Sequence, residues 1–249
     1  MSNKTYDEAY LNQLQVVLAK TITRSLALLA AKPGETICDI GCGVGDLVFK
    51  IAAYGANVIG IDNDENFLTV ARKNNLTHTN VKFICSDADH IPLEDNSIDK
   101  IIVHRVLQHV IDHESVIKEC CRILKPGGTL QIVEPDYLSL TFFLNDIGFE
   151  RKLIDRVAYN RIPNSYKVRQ LPFSLNNAGF NVGLTEVHNY LIDSFELANY
   201  VIRFDEEVEK GYACNDFTQL QYEAWQELKK LPQGQFNLSL NLLLVNAIK

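Results

Sequence analysis

The six cysteines, Cys38, Cys42, Cys85, Cys120, Cys121 and Cys214, include no CxxC pair. That argues against a zinc ribbon or a thiol–disulfide motif, and the chain is too long for a disulfide-stapled mini-domain. Reduced thiols are expected, with Cys38 and Cys85 packing as small hydrophobes in apolar, strand-like runs. No apolar run approaches membrane-spanning length. The opening residues Met1-Ser2-Asn3-Lys4-Thr5-Tyr6-Asp7 lack the apolar stretch of a secretory signal, so a cytoplasmic location is expected. An excess of positive charge is also missing: the formal net charge is −7, so the overall field opposes nucleic acid. Repeats and low-complexity segments are absent, which excludes solenoids and long linkers. The densest charge cluster, Asp205-Glu206-Glu207 to Lys210, reads as a solvated helix face.

What is present is 47% apolar residues in 249, enough for one globular domain spanning 1–249. A helix is expected from about Tyr6 to Ala31, within an N-terminal segment 1–33. Its stripe is Leu11, Leu14, Leu18, Ile22 and Leu29, and Lys32-Pro33-Gly34 ends it. Strands then alternate with helices. Strands are expected at Thr36–Ile40, Asn57–Ile61, Val81–Cys85, Ile98–His104 and Thr129–Glu134. Helices are expected at Asp46–Ala53, Asp64–Asn74 and His113–Leu124. This spacing predicts an α/β fold with a mostly parallel sheet and helices on both faces.

The pattern loosens over 135–170, where aromatics (Tyr137, Phe142, Phe143, Phe149) mix with arginines (Arg151, Arg156, Arg161, Arg169). It reads as a helical lid insertion, and its aromatics suggest a partly apolar small-molecule substrate. Beyond it, a helix over Leu171–Ala178, a strand over Phe180–Tyr190, helices over Ser194–Lys210 and Phe217–Lys230, and an apolar alternation over Phe236–Ile248 are expected.

The most informative segment is Asp39-Ile40-Gly41-Cys42-Gly43-Val44-Gly45-Asp46, where a strand enters three alternating glycines and a helix begins at once. Glycine lets the backbone turn tightly and approach a ligand without a Cβ in the way. The helix start offers free N–H groups. The next strand ends in Asp62, whose carboxylate can accept from both hydroxyls of a ribose. A dinucleotide and S-adenosylmethionine (SAM) both fit this much. The dinucleotide fingerprint GxGxxG, however, puts glycine where Asp46 stands. Asp46 and Asp39 suit a cationic ligand, with its sulfonium and ammonium, better than a pyrophosphate.

Asp39-Ile40-Gly41-Cys42-Gly43-Val44-Gly45 resembles the first motif of class I SAM-dependent methyltransferases. Arg105–Val110 after the fourth strand and Leu124-Lys125-Pro126-Gly127-Gly128 before the fifth match as well. The similarity covers roughly 34–136 and is nearest to the group containing the ubiquinone and menaquinone C-methyltransferases. It implies a Rossmann-like, seven-stranded, mostly parallel sheet with an antiparallel last strand. It also implies SAM as cofactor, S-adenosylhomocysteine as product, and methylation of an oxygen, nitrogen or carbon of a small molecule. Asp62 would hold the ribose and Asp87-Ala88 the adenine, with Asn63 either lining the adenine pocket or starting a helix. Asp39, Gly41, Cys42, Gly43, Gly45 and His104 would complete the cofactor site.

For catalysis the candidates are His109, His104 and Glu134. Each has a plainer role open to it: a packed histidine, a backbone contact to cofactor, or a bond to a neighbouring loop. Tyr10, Arg105, Tyr137, Arg161, Tyr166 and Arg169 are substrate-side candidates, and no metal site is expected. The fourth strand is followed by His104-Arg105-Val106-Leu107, not the Asn/Asp-Pro-Pro-Tyr/Phe pattern of adenine- and amide-nitrogen methylating enzymes. Two other classes remain open at this point: a non-catalytic SAM-binding regulatory or partner protein, and an NAD-dependent oxidoreductase.

Overall fold

The computed structural model describes residues 16–162 and 164–249. Tyr10, and Leu11 and Leu14 of the expected first helix, lie outside the described residues. Seven strands form one sheet: β1 (Thr36–Ile40), β2 (Asn57–Asp62), β3 (Val81–Cys85), β4 (Ile98–His104), β5 (Leu124–Thr141), β6 (Asn181–Ile192) and β7 (Leu238–Ile248), in the order β3-β2-β1-β4-β5-β7-β6. Neighbours from β3 through to β5 pair in parallel, and β7 runs antiparallel between β5 and β6. This is the expected Rossmann-like sheet, and its order reverses at β1 and β4, where open α/β sheets bind ligands.

Helix α1 (Ala19–Leu29) buries Ile22 and Leu29 together with Ile51 and Val48 of α2 (Asp46–Ala52) and Leu68 of α3 (Glu65–Asn74). The same helix carries a polar seam, with Thr21 and Ser25 also buried. It stops where Ala30 turns left-handed at φ 46°. Asp64 caps α3 as expected, accepting the Asn66 N–H at 2.9 Å. On another part of the sheet, α4 (His113–Ile123) packs Val116, Ile117 and Cys120 into a core shared with Ile101, Val103 and Ile132. Cys38 is buried as expected, but Cys85 ends β3 exposed at the strand tip, its Sγ 3.8 Å from Asn63 O.

The second half departs from expectation in several places. β5 does not stop at Glu134 but runs to Thr141, because β7 continues to pair with it at Pro135↔Leu242, Asp136↔Asn241 and Thr141↔Ser239. The segment after it holds α5 (Ile147–Asp155), one π-helical turn (Arg156–Arg161), a 3-10 helix (Ser165–Gln170) and α6 (Leu171–Asn177). Its aromatics do not form a separate layer. Phe142 and Phe149 pack edge-on against Trp225, itself in contact with Phe195 and Phe204. These rings fill a core of their own, which removes the support they lent to an apolar substrate; Phe143 is the exposed exception.

The single helix expected over Ser194–Lys210 is two: α7 (Phe195–Ile202) and α8 (Asp205–Ala213). Arg203 turns left-handed at φ 55°, which brings Phe204 into full burial against Trp225 of α9 (Gln219–Leu228). The charge cluster there is not simply solvated. Glu207 is buried, with Lys210 Nζ at 2.6 Å and Arg156 Nη2 at 3.6 Å. Asp205 accepts from the indole N–H of Trp225 at 2.7 Å and pairs with Lys229 at 2.6 Å. No described helix is long and apolar enough to cross a membrane.

Candidate cofactor site

The glycine turn lies between β1 and α2, and its three glycines all have positive φ: 73° at Gly41, 53° at Gly43 and 89° at Gly45. L-residues with a Cβ adopt this region at a cost, so the turn depends on glycine. Gly41 is required twice over, since a Cβ there would collide with Val106 Cγ2. The N–H groups of Gly41 and Cys42 both donate to Ile61 O, at 2.7 and 2.9 Å, which ties the turn to the tip of β2. Next to them, Gly43 N–H donates to Asp62 Oδ2 at 2.8 Å, and Asp64 N–H to Asp62 Oδ1 at 2.9 Å.

A cleft of about 630 Å³, open to solvent, lies over this turn. Asp39, Gly41, Cys42, Gly43, His104 and Arg105 line it, so six of the residues named from sequence meet at one place. Leu18 and Ile22 of the α1 region, with Val44 and Leu47, supply an apolar wall. That wall was not read as part of the site, because an amphipathic stripe does not say whether it faces core or ligand. Asp46 closes the acidic side.

Burial pushes the Asp39 carboxyl well above its usual range, and the nearby Asp62 charge adds to the shift. Burial raises Asp62 as well, against the opposing effect of the Asp64 and Gly43 N–H bonds. A buried acid facing a cleft gains from a cationic ligand and is opposed by an anionic one. The positive-φ glycines, the space closed by Val106 and the acids together suit a cationic nucleoside.

The adenine-side candidates sit at the tips of β2 and β3, where Asn63 Nδ2 donates to Asp87 Oδ1 at 3.0 Å. Ala88 packs partly buried against the core beside α4. At the tip of β4, Ser25 Oγ bonds His104 Nε2 at 3.0 Å and also donates to Gln131 Oε1, while Gln131 Nε2 donates to Ser25 O at 3.2 Å. Burial and the neighbouring Arg105 push the imidazole down to about 3, so it is neutral at ordinary pH. Ser25 and Gln131 were missed in the sequence: nothing local marks partners that are 79 and 106 residues apart.

Glu134 is buried under the turn that follows β4. Its Oε1 accepts the N–H groups of Val106 at 2.6 Å and Leu107 at 2.7 Å. Burial raises its carboxyl to about 7 despite these bonds. His109, on the same turn, is exposed. The substrate-side candidates are dispersed. Arg105 lines the cleft and holds φ 59°. Tyr137 is buried in the aromatic core. Arg161 is buried and pairs with Glu206 at 3.2 Å. Tyr166 packs on Tyr159 with ring centroids 5.3 Å apart, and Arg169 pairs with Asp136 at 2.8 Å. Among the described residues no group of His, Cys, Asp or Glu is arranged to hold a metal.

Comparison with known proteins gives a consistent picture. A family model described as a methyltransferase domain matches residues 38–132. An uncharacterized 37.1 kDa protein in transposon TN4556 of Streptomyces fradiae is 32% identical over 244 residues, covering 96% of this chain and 70% of that protein. The demethylmenaquinone methyltransferase of Staphylococcus aureus is 35% identical over 118 residues, covering 46% of this chain and 49% of the enzyme. In structure, phosphoethanolamine N-methyltransferase 2 of Haemonchus contortus, solved with S-adenosyl-L-methionine, superposes with a TM-score of 0.62 at 20% identity. That alignment covers 99% of this chain and 58% of the Haemonchus protein.

Proposed function

We infer the reaction from this relationship: the chain belongs to the class I S-adenosylmethionine-dependent methyltransferases, and we propose that it transfers a methyl group to an oxygen, nitrogen or carbon of a small molecule. The observation that carries the reading is the cleft in which two left-handed glycines, Gly41 and Gly43, lie beside the buried acid Asp39.

In this reading Asp62 accepts from the ribose hydroxyls. Asn63, Asp87 and Ala88 border the adenine, and Asp39 and Asp46 face the positively charged end. S-adenosylmethionine, when bound, supplies a methyl group made electrophilic by its sulfonium. The chain's own contribution is position and electrostatics. Holding an acceptor at near-attack distance contributes up to roughly 7–11 kcal/mol in well-oriented systems.

His104 acts here as a wall of the cleft, since its Nε2 is engaged by Ser25 and it resists protonation. Glu134 faces the underside of the turn after β4, so we give it a supporting role and not that of a base. An acceptor that is nucleophilic without deprotonation, such as a neutral amine, fits such a site best.

The test is incubation of the purified protein with methyl-labelled SAM and a metabolite extract, with an NAD titration alongside. Label is expected in the small-molecule fraction, with no saturable NAD binding. Saturable SAM binding with no labelled product under any extract would favour a non-catalytic SAM-binding protein instead.

A further inference from the structure

Two cavities flank the turn that follows β4. One is the cofactor cleft. The other, a narrow pocket with room for about one water molecule, lies beneath the turn, and Gln108, His113, Glu134, Ser165 and Lys167 are among its lining residues. Between them the start of the turn is tied to β5. Arg105 N–H donates to Val133 O at 2.8 Å, and the next two N–H groups, of Val106 and Leu107, both donate to Glu134 Oε1. Gln108 Nε2 closes the turn on Arg105 O at 3.1 Å.

Two backbone N–H groups thus share one buried carboxyl oxygen, at 2.6 and 2.7 Å. The other oxygen, Oε2, is buried and has no partner among the described residues. Burying a carboxyl in this way is unfavourable unless its bonds do something in return. The return lies on the far side of the turn. Val106, whose N–H Glu134 holds, puts its Cγ2 in the space that a Cβ on Gly41 would fill. Arg105, one residue earlier, is held at φ 59° and lines the cofactor cleft. Glu134, the Val106 backbone, the Val106 side chain and the Gly41 backbone therefore form one contiguous path from the interior to the glycine turn.

We propose that Glu134 is the positioning residue of the cofactor site: by fixing the N–H groups of Val106 and Leu107 it presses the Val106 side chain against Gly41 and keeps the glycine turn in its ligand-binding shape. The proposal rests on the methyltransferase reading above, and it gives Glu134 no contact with cofactor or substrate.

The test measures S-adenosylhomocysteine affinity by calorimetry, at a temperature where each variant is folded by circular dichroism. Glu134→Ala removes the acceptor and is expected to weaken binding by about tenfold or more, as leaving two buried N–H groups without their acceptor implies. Glu134→Gln keeps an oxygen for both N–H groups and is expected to recover most of that loss. Val106→Ala keeps the backbone bonds but removes the methyl groups against Gly41. It should weaken binding in the same direction, and it decides the matter if Glu134→Ala does not fold. Affinity within about twofold of the parent in Val106→Ala and in a folded Glu134→Ala would overturn the proposal, since twofold is at the level of additivity error. A Glu134→Gln protein as weak as Glu134→Ala would also overturn it, because the acceptor oxygen would then not be what matters. Failure of the parent protein to bind S-adenosylhomocysteine would bring down the methyltransferase reading itself, and this proposal with it. Tight parent binding with unaffected variants would remove this proposal alone.

Discussion

The Asp62 carboxylate is joined to the glycine turn before any ligand is considered: its Oδ2 accepts the Gly43 N–H at 2.8 Å, across a separation of 19 residues. One acid thus both ties the tip of β2 to the turn after β1 and presents itself at the place where a ribose is expected. Asp62→Ala removes a charged acceptor. The expected cost in S-adenosylhomocysteine affinity is about 1–3 kcal/mol, with Asp62→Asn intermediate. Isothermal calorimetry measures it. Unchanged affinity in a folded Asp62→Ala protein would take this residue out of the site.

Gly41 and Gly34 allow backbone strain to be separated from steric conflict. Both have positive φ, 73° and 82°, but a Cβ at Gly34 meets nothing within 4 Å, whereas at Gly41 it meets Val106. Gly34→Ala is expected to cost about 1 kcal/mol of stability, from the backbone alone, and to leave cofactor binding intact. Gly41→Ala should cost more and should abolish measurable cofactor binding. Urea denaturation and a cofactor titration on the two variants, side by side, check both statements.

Ser25 couples α1 to the sheet through His104 and Gln131. Ser25→Ala leaves His104 Nε2 and Gln131 Oε1 without this partner in a buried setting. The expected destabilisation is about 1–3 kcal/mol, read from the urea midpoint at constant slope. A change below a few tenths would mean that water replaces the hydroxyl at little cost.

Glu134 makes a signed prediction for pH. Its carboxyl is raised from 4.5 to about 7, so between these values the folded chain binds a proton that the unfolded chain does not. Its contribution to stability is therefore greatest below 4.5 and is lost as pH rises through 7. Arg105 of the β4 turn acts on it electrostatically, and His113 of α4 and Lys167 of the 3-10 helix line the same pocket. His113 is pushed below its usual range by burial and by Lys167. Asp39 is shifted upward too, so the comparison must be with Glu134→Gln under identical conditions. From pH 6 to pH 8 the parent should lose about 1 kcal/mol more unfolding free energy than Glu134→Gln. Parallel stability profiles would contradict the assignment.

The parts of the fold legible in the sequence were those written locally. Three glycines at alternate positions after an apolar strand announce a turn, and an acid at the end of the next strand lands beside it because parallel neighbours share register, as Cys38↔Ile59 and Ile40↔Ile61 do. Buried apolar strands such as β4 read the same way. What stayed hidden depends on distance or on one residue. Arg203 breaks a helix whose apolar spacing runs on without interruption, and only the burial of Phe204 against Trp225 explains the break. The extension of β5 is imposed by β7, about a hundred residues later in the chain. In the site, Asp39, Gly41, Cys42, Gly43, His104 and Arg105 were found because motif and turn are contiguous. The roles of Ser25 and Gln131 under His104 rest on long-range bonds that no local pattern encodes; for Glu134 the sequence leaves a bond to a neighbouring loop open, and that loop is the one carrying Val106 and Leu107.

The claim on which everything else depends is that the acid-lined turn binds a positively charged nucleoside. Calorimetric titration of the folded protein with SAM, S-adenosylhomocysteine and NAD tests it most directly. The account predicts saturable, one-to-one heat with both sulfur nucleosides and none with NAD. Saturation by NAD alone, or by none of the three, would contradict it.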